Sequence, residues 1–182
     1  MGQMFVIVLT GLARSGKDSV ADYLVKEYGF KKFTFSDVLV EELIKQGREP
    51  TKANQAIIGD ELRKEKGLDI VARMLFEKFK EEEKVVLVGS RSIEEIAFLK
   101  KKAEKFFLVK IEALLQKRFG RKEKGTHKTL KELNERDARD KKNKGMQKVI
   151  DAAEFTIKND SSFENLHKKT DKLMENIYKE KC

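Results

Sequence analysis

The stretch from Phe5 to Ser19, FVIVLTGLARSGKDS, constrains this chain more than any other. Phe5-Val6-Ile7-Val8-Leu9 is a continuous apolar run, the pattern of a strand covered on both faces. It breaks at Thr10-Gly11. Gly11-Leu12-Ala13-Arg14-Ser15-Gly16-Lys17 follows, with the spacing G-x-x-x-x-G-K. Ala21, Leu24, Val25 and Tyr28 then recur at helical spacing. A buried strand, a glycine loop and a helix, in that order, form the context in which this spacing implies a phosphate-binding loop.

The chemistry explains the residue types. Glycines let successive backbone N–H groups turn inward around an anion. The unpaired N–H groups and dipole of the following helix add to that field. Lys17 supplies a point charge for the β- and γ-phosphates of a nucleotide. The competing reading is a plain glycine turn with a solvated lysine. After the lysine the motif ordinarily carries Ser or Thr, whose hydroxyl meets Mg²⁺. Asp18 stands there instead, followed by Ser19. A carboxylate is a hard-oxygen magnesium partner, direct or through water.

The 182 residues suit one domain, 1–182, with a substantial core. With 40% apolar and 39% charged residues the composition is that of a soluble globular protein. No apolar stretch is long enough to span a bilayer, and Phe5–Leu9 is too short for a signal peptide. The single cysteine, Cys182, excludes disulfides and thiolate metal sites. These features point to the cytoplasm. The net charge of +9 is concentrated: Lys100 to Lys148 holds 18 of the 40 basic residues and only 7 acidic ones. Such a field serves anionic small molecules or nucleic acid.

Along the chain, Gly29 is a candidate helix C-cap. Lys31 to Phe35 reads as a second strand, with Ser36 the N-cap of a helix whose apolar face is Val40, Leu43 and Ile44. Asp37 fits two readings equally: an acid favouring a helix N-terminus, or a ligand group at a strand end. Pro50 marks a break. Helices follow from about Lys52 to Lys64, with Ile58 and Leu62, and from about Asp69 to Lys80, with Val71, Met74, Leu75 and Phe79. Val85 to Val88 is the third strand. Ser92 and Glu95 form an S-x-x-E capping box for a helix with Ile93, Ile96 and Ala97 inward. Arg91 lies in the turn after a buried strand, at the sheet edge where the phosphate loop also lies. Phe106 to Ile111 is the fourth strand, and Leu114 to Phe119 is helical. Gly120 to Lys128 is polar and glycine-flanked, the pattern of a mobile loop. A charged helix spans Thr129 to about Lys142, and Phe155-Thr156-Ile157 is the fifth strand. Asn159-Asp160-Ser161 forms a loop and cap. The last helix carries Phe163, Leu166, Thr170, Leu173 and Ile177, which pack on the sheet or form a dimer seam. His127 and His167 lack metal-ligand company.

Strands alternating with helices imply a parallel sheet wrapped on both faces. Gly11–Lys17, Phe35-Ser36-Asp37, Leu62-Arg63, Gly89-Ser90-Arg91, the basic segment, Arg136-Asp137 and Ile157-Lys158-Asn159 together resemble the P-loop nucleoside monophosphate kinases. The set is most similar to the archaeal adenylate-kinase-related, dephospho-coenzyme-A-kinase-like family. The resemblance runs over nearly the whole chain. It implies an α/β P-loop NTPase fold: a five-stranded parallel sheet of order 2-3-1-4-5 with helices on both faces. A substrate lobe would occupy about 37–80 and a basic lid about 118–142. Gly11, Leu12, Ala13, Arg14, Ser15, Gly16, Lys17, Asp18 and Ser19 would hold ATP, with Asn159 near the base and Asp18 at Mg²⁺. Asp37, Arg63 and Arg91 would hold the acceptor. Arg118, Arg121, Arg136 and Arg139 would close from the lid. Lys17, Asp37, Arg91 and Arg118 would act in catalysis. By the same resemblance an Asp usually ends strand three, just before the glycine, where this chain has Val88.

From the residues alone, Arg63 also fits a surface helix, and Arg136 and Arg139 also fit local pairs with neighbouring acids. The expected activity is ATP- and Mg²⁺-dependent phosphoryl transfer to a phosphorylated small molecule, a nucleoside or deoxynucleoside monophosphate. Dephospho-coenzyme A is the alternative acceptor. An ATP-binding switch docking on RNA or protein is the reading from another class. Nucleic acid is disfavoured because Lys110 to Lys148 contains one aromatic, Phe119. A monomer or a homodimer is expected.

Overall fold

The computed structural model describes residues 4–121, 129–143 and 145–179. The loop 122–128, expected to be mobile, and with it His127 lie outside the described residues. Strands β1 (Phe5–Thr10), β2 (Lys31–Thr34), β3 (Lys84–Val88), β4 (Lys105–Glu112) and β5 (Phe155–Lys158) form one sheet, in the order β2-β3-β1-β4-β5. Every neighbouring pair is parallel. Parallel strands require crossovers, which the helices supply. These are α1 (Lys17–Tyr28), α2 (Phe35–Lys45), α3 (Lys52–Lys66), α4 (Ile70–Phe79), α5 (Ile93–Lys102), α6 (Leu115–Gly120), α7 (Leu130–Asn143), α8 (Met146–Asp151) and α9 (Phe163–Lys179).

The period of two along each strand divides the core. Val6 and Val8 face one layer with Val85, Leu87 and Leu108, covered by α2 to α5 and α8. Phe5, Ile7 and Leu9 face the other with Val86, Val88, Val109, Ile111 and Ile157, covered by α1 and α9. Both faces of β1 are therefore apolar, and all six of its residues are buried. Each such side chain stabilises the fold by about 1.5–3 kcal/mol relative to exposure. Asp171 on α9 accepts hydrogen bonds from the Tyr23 and Tyr28 hydroxyls, clasping α9 to α1.

Register places the candidate site. Leu9 lies opposite Val88 on one side and Val109 on the other, and Thr34 lies opposite Val88. The C-terminal ends of β1, β2, β3 and β4 therefore share one edge, the edge where ligands bind in open parallel sheets.

Some local expectations are corrected. β2 stops at Thr34, and Phe35 is already helical, because its ring is drawn into the core under α2. Thr34, not Ser36, is the N-cap, with the Asp37 carboxylate accepting from the Thr34 N–H at 3.0 Å. Periodicity places Ile44, Ala97, Val25 and Phe163 on apolar faces, but all four are exposed, Phe163 at 67%. Leu39, Leu99 and Met174 fill the neighbouring core positions. Ser162 rather than Ser161 caps α9, accepting from the Asn165 N–H. Helix α8 was not anticipated, since six residues are too few to show a period. Among the described residues no helix is long and apolar enough to cross a membrane.

Candidate active site

The loop between β1 and α1 makes three left-handed turns in seven residues: φ is 140° at Gly11, 60° at Arg14 and 104° at Gly16. Arg14 is the only described non-glycine residue with positive φ, a conformation costing about 1–2 kcal/mol in an L-residue. Gly11 and Gly16 are required by space as well as by φ. A Cβ at Gly11 would lie 2.2 Å from the Ile111 carbonyl oxygen, and one at Gly16 would lie 2.1 Å from Asn159 Nδ2. The Lys17 ammonium folds back over the loop, donating to the Gly11 and Leu12 carbonyls at 2.8 and 2.9 Å.

The loop is braced from outside. Asn159, just beyond β5, donates from Nδ2 to the Ser15 carbonyl at 2.8 Å. Arg121 donates from Nη1 to the Arg14 and Ser15 carbonyls and from Nη2 to that of Asn159. Arg118 on α6 donates from Nη1 to the Ala13 carbonyl at 3.1 Å and forks onto Asp137 of α7. Two of the four arginines expected in the lid, Arg118 and Arg121, are thus fastened to the phosphate loop. Burial lowers the Arg121 pKa and Arg118 acts the same way, while Asp160 opposes them.

A second basic cluster gathers at the end of β3. Burial pushes the Arg91 guanidinium below its ordinary pKa; Asp140 opposes this, Arg63 and Arg136 add to it, and Glu95 opposes it. Among the described residues the Arg91 side chain makes no hydrogen bond; only its backbone N–H is held, by Glu95 Oε2 at 2.8 Å. Arg63 forks onto Glu95 Oε1, Nε at 3.2 Å and Nη2 at 2.7 Å. Arg136 lies 3.6 Å from Asp140. Among the described residues three guanidiniums therefore gather with Glu95, Asp140 and, 3.9 Å from Arg63 Nη1, Asp60. Asp37 sits apart as an exposed cap of α2. Arg139 is exposed on α7, whereas Asp137 and Asp140 of that helix are buried.

The loop fits the triphosphate of a nucleotide by three features: the left-handed turns, the start of α1 at Lys17, and the buried Ser15 hydroxyl, which has no hydrogen-bond partner among the described residues. A metal fits less fully. No cluster of three or more His, Cys, Asp or Glu is present among the described residues. Asp18 is exposed and pairs with Lys32 at 2.8 Å, and Lys32 also holds Asp22. The Ser90 hydroxyl, two residues beyond Val88, is buried without a partner among the described residues. This donor set suits a cation that arrives on nucleotide phosphates rather than one held by a protein cage.

Sequence reasoning missed Glu95 as a partner of Arg63, Asp137 as a partner of Arg118, and Lys32 as a partner of Asp18. All three pairs join distant parts of the chain. The capping box found Glu95 but gave no signal of its second oxygen.

Loop and sheet order define a P-loop α/β fold. A family model described as an AAA domain matches residues 10–133. A UPF0200 protein of Methanothrix thermoacetophila is 33% identical over 96% of this chain and 98% of its own length. One from Thermococcus onnurineus is 32% identical over 96% and 99%. The chain belongs to this UPF0200 family. Its fold is shared with a shikimate kinase from Bacteroides thetaiotaomicron, with a TM-score of 0.65, 16% identity, and 94% and 99% of the two chains covered. It is shared also with a gluconokinase from Sinorhizobium meliloti, with a TM-score of 0.58, 15% identity and 99% of both chains covered.

Proposed function

We propose that this protein is an ATP-dependent nucleotide kinase of the cytoplasm, transferring the γ-phosphate of ATP to a nucleoside or deoxynucleoside monophosphate. The observation that carries the reading is the gathering of Arg63, Arg91 and Arg136 at the sheet edge that bears the phosphate loop. The Arg91 guanidinium, with no side-chain hydrogen bond among the described residues, suits an acceptor that is itself a phosphate.

Phosphoryl transfer asks a protein to align two anions and spread the charge between them. In this reading the loop amides and Lys17 hold the donor phosphates. Arg63 and Arg91 hold the acceptor phosphate. Arg118 and Arg121, fastened to the loop carbonyls, bring the lid over the donor and exclude water. A Mg²⁺ ion carried by ATP, with Asp18 as its carboxylate on the protein, would neutralise charge on the transferring group. A phosphate acceptor is already nucleophilic, so no general base is needed.

The test is a transfer assay with the four ribo- and four deoxynucleoside monophosphates and dephospho-coenzyme A, using ATP and GTP as donors with Mg²⁺. Transfer to at least one monophosphate is expected. Transfer only to dephospho-coenzyme A would move the reading to a hydroxyl acceptor. ATP binding with no transfer, accompanied by RNA or protein binding, would replace the enzyme with a switch.

A further inference from the structure

We infer that Glu95 is the positioning residue of the acceptor site, holding Arg63 and Arg91 in a fixed relation through its two carboxylate oxygens. This rests on the reading that those arginines grip the acceptor phosphate.

Glu95 is fully buried. A buried carboxylate is costly unless its oxygens are all engaged. Its partners divide cleanly. Oε2 accepts from the Arg91 N–H at 2.8 Å and the Ser92 N–H at 3.3 Å, both local. Oε1 accepts Nε and Nη2 of Arg63, which reaches over from α3, 32 residues earlier. The capping box explains the first set. It explains neither the burial nor the fork, since a cap works as well at a helix start in water.

The fork has a consequence for Arg63. One edge of its guanidinium, Nε with Nη2, is fixed on Glu95 Oε1, while Nη1 is directed elsewhere, 3.9 Å from Asp60. The donor left over is aimed before any ligand arrives. An arginine that must be ordered on binding loses rotamer freedom, and one already ordered does not. The same carboxylate sets the backbone from which Arg91 projects. One group therefore fixes both ends of the anion grip without touching the anion.

The test uses calorimetric binding of AMP, CMP, GMP and UMP, with the loop filled by a non-hydrolysable ATP analogue. Glu95→Gln keeps a side chain able to cap α5, but turns an amide toward the Arg63 fork. It is expected to weaken the bound monophosphate about tenfold or more, with the ATP analogue held within about twofold. In an Arg63→Ala background the same change is expected to cost less than about twofold, because Glu95 acts through Arg63. Equal losses in both backgrounds, or no loss in either, overturn the inference. If Arg63→Ala alone leaves every monophosphate unaffected, or the parent binds none, the acceptor reading falls and this inference with it. Should Glu95→Gln alone fail to fold, Arg63→Ala is compared with Arg63→Ala/Glu95→Gln, which removes the buried pair together. Matching affinities then support the inference, and a further loss overturns it.

Discussion

Arg118 on α6 and Asp137 on α7 meet as a fork, Nη1 to Oδ1 at 3.1 Å and Nη2 to Oδ2 at 2.5 Å, with 4% and 7% of their side chains exposed. Arg118 also donates from Nε to the Ala113 carbonyl and from Nη1 to the Ala13 carbonyl of the phosphate loop. One guanidinium thus ties the helix after β4, the charged helix and the loop together.

Breaking that pair from one side should therefore be felt in two places. Asp137→Ala leaves a buried cation uncompensated, which typically costs about 3–5 kcal/mol. For a domain of this size the Tm should fall by about 6–20 °C. ATP affinity should fall too, as Arg118 loses its anchor near Ala13. Replacing both partners, Arg118→Met with Asp137→Leu, should recover most of the Tm but not the affinity. Scanning calorimetry and ATP titration of the two proteins separate the effects. A single variant with the parent's Tm would show that α7 is held by other contacts.

Lys17→Ala should do the reverse. Lys17 is only half-buried and bonds to two loop carbonyls, so the core is untouched and the Tm should stay within about 3 °C. Losing the ammonium from a closed phosphate site costs about 2–5 kcal/mol, or about 30- to several-thousandfold in ATP affinity. Unchanged affinity in the variant would remove the nucleotide from this loop.

The sheet was legible because its strands are apolar runs buried on both faces, and β1, with Val6 and Ile7 in opposite layers, is the clearest case. The phosphate loop was legible because its chemistry is local: seven residues hold both glycines and the lysine. Ile44 and Phe163 were misplaced because periodicity finds a stripe on a helix but not its edges. The second basic cluster was legible only in part. Arg91 announced itself by following a buried strand. Arg63 stands on a helix rich in Lys and Glu, where its partner Glu95 cannot be read from sequence spacing. Asp18 looked unencumbered in the sequence, and only the sheet shows Lys32 beside it.

That Lys32 contact decides how Asp18 should behave toward Mg²⁺. The pair is solvent-exposed on the acid side, with 70% of the Asp18 side chain accessible. Such pairs contribute about 0–1 kcal/mol, too little to withhold a carboxylate from a dication. Lys32→Met should therefore lower the Mg²⁺ concentration for half-maximal activity by no more than about fivefold. Asp18→Ala should raise it by about three- to tenfold if the acid contributes one water-mediated contact. Val88→Asp, which puts an acid at the end of β3, should partly reverse the Asp18→Ala effect. Identical Mg²⁺ curves for parent and Asp18→Ala would mean that phosphates and water alone hold the ion.

The acceptor itself is distinguished by Arg91 and Asp37. Arg91 projects from the turn after β3, and its side chain makes no hydrogen bond among the described residues, so Arg91→Ala breaks little in the fold. If it grips a phosphate, losing that charge-assisted contact should lower kcat/KM for the acceptor by about 30- to 1,000-fold, which is about 2–4 kcal/mol. KM should rise and kcat fall together, because a loosely held acceptor is also misaligned. ATP affinity should change by less than about twofold, since the loop and the cluster are separate. Arg91→Lys should recover only part of the loss, because a single ammonium cannot replace a planar fork. Asp37→Asn tests the other possibility. Its oxygen can still accept from the Thr34 N–H, so the helix cap should lose less than about 1 kcal/mol. With a monophosphate acceptor, which carries its own nucleophile, kcat should fall by less than about fivefold. With a ribose hydroxyl acceptor, loss of a general base should cost about 10²–10⁴ in kcat. Steady-state kinetics of the two variants on one accepted substrate therefore separates the two kinase types: a large Arg91→Ala effect beside a small Asp37→Asn effect marks the monophosphate kinase, and the converse marks the hydroxyl acceptor.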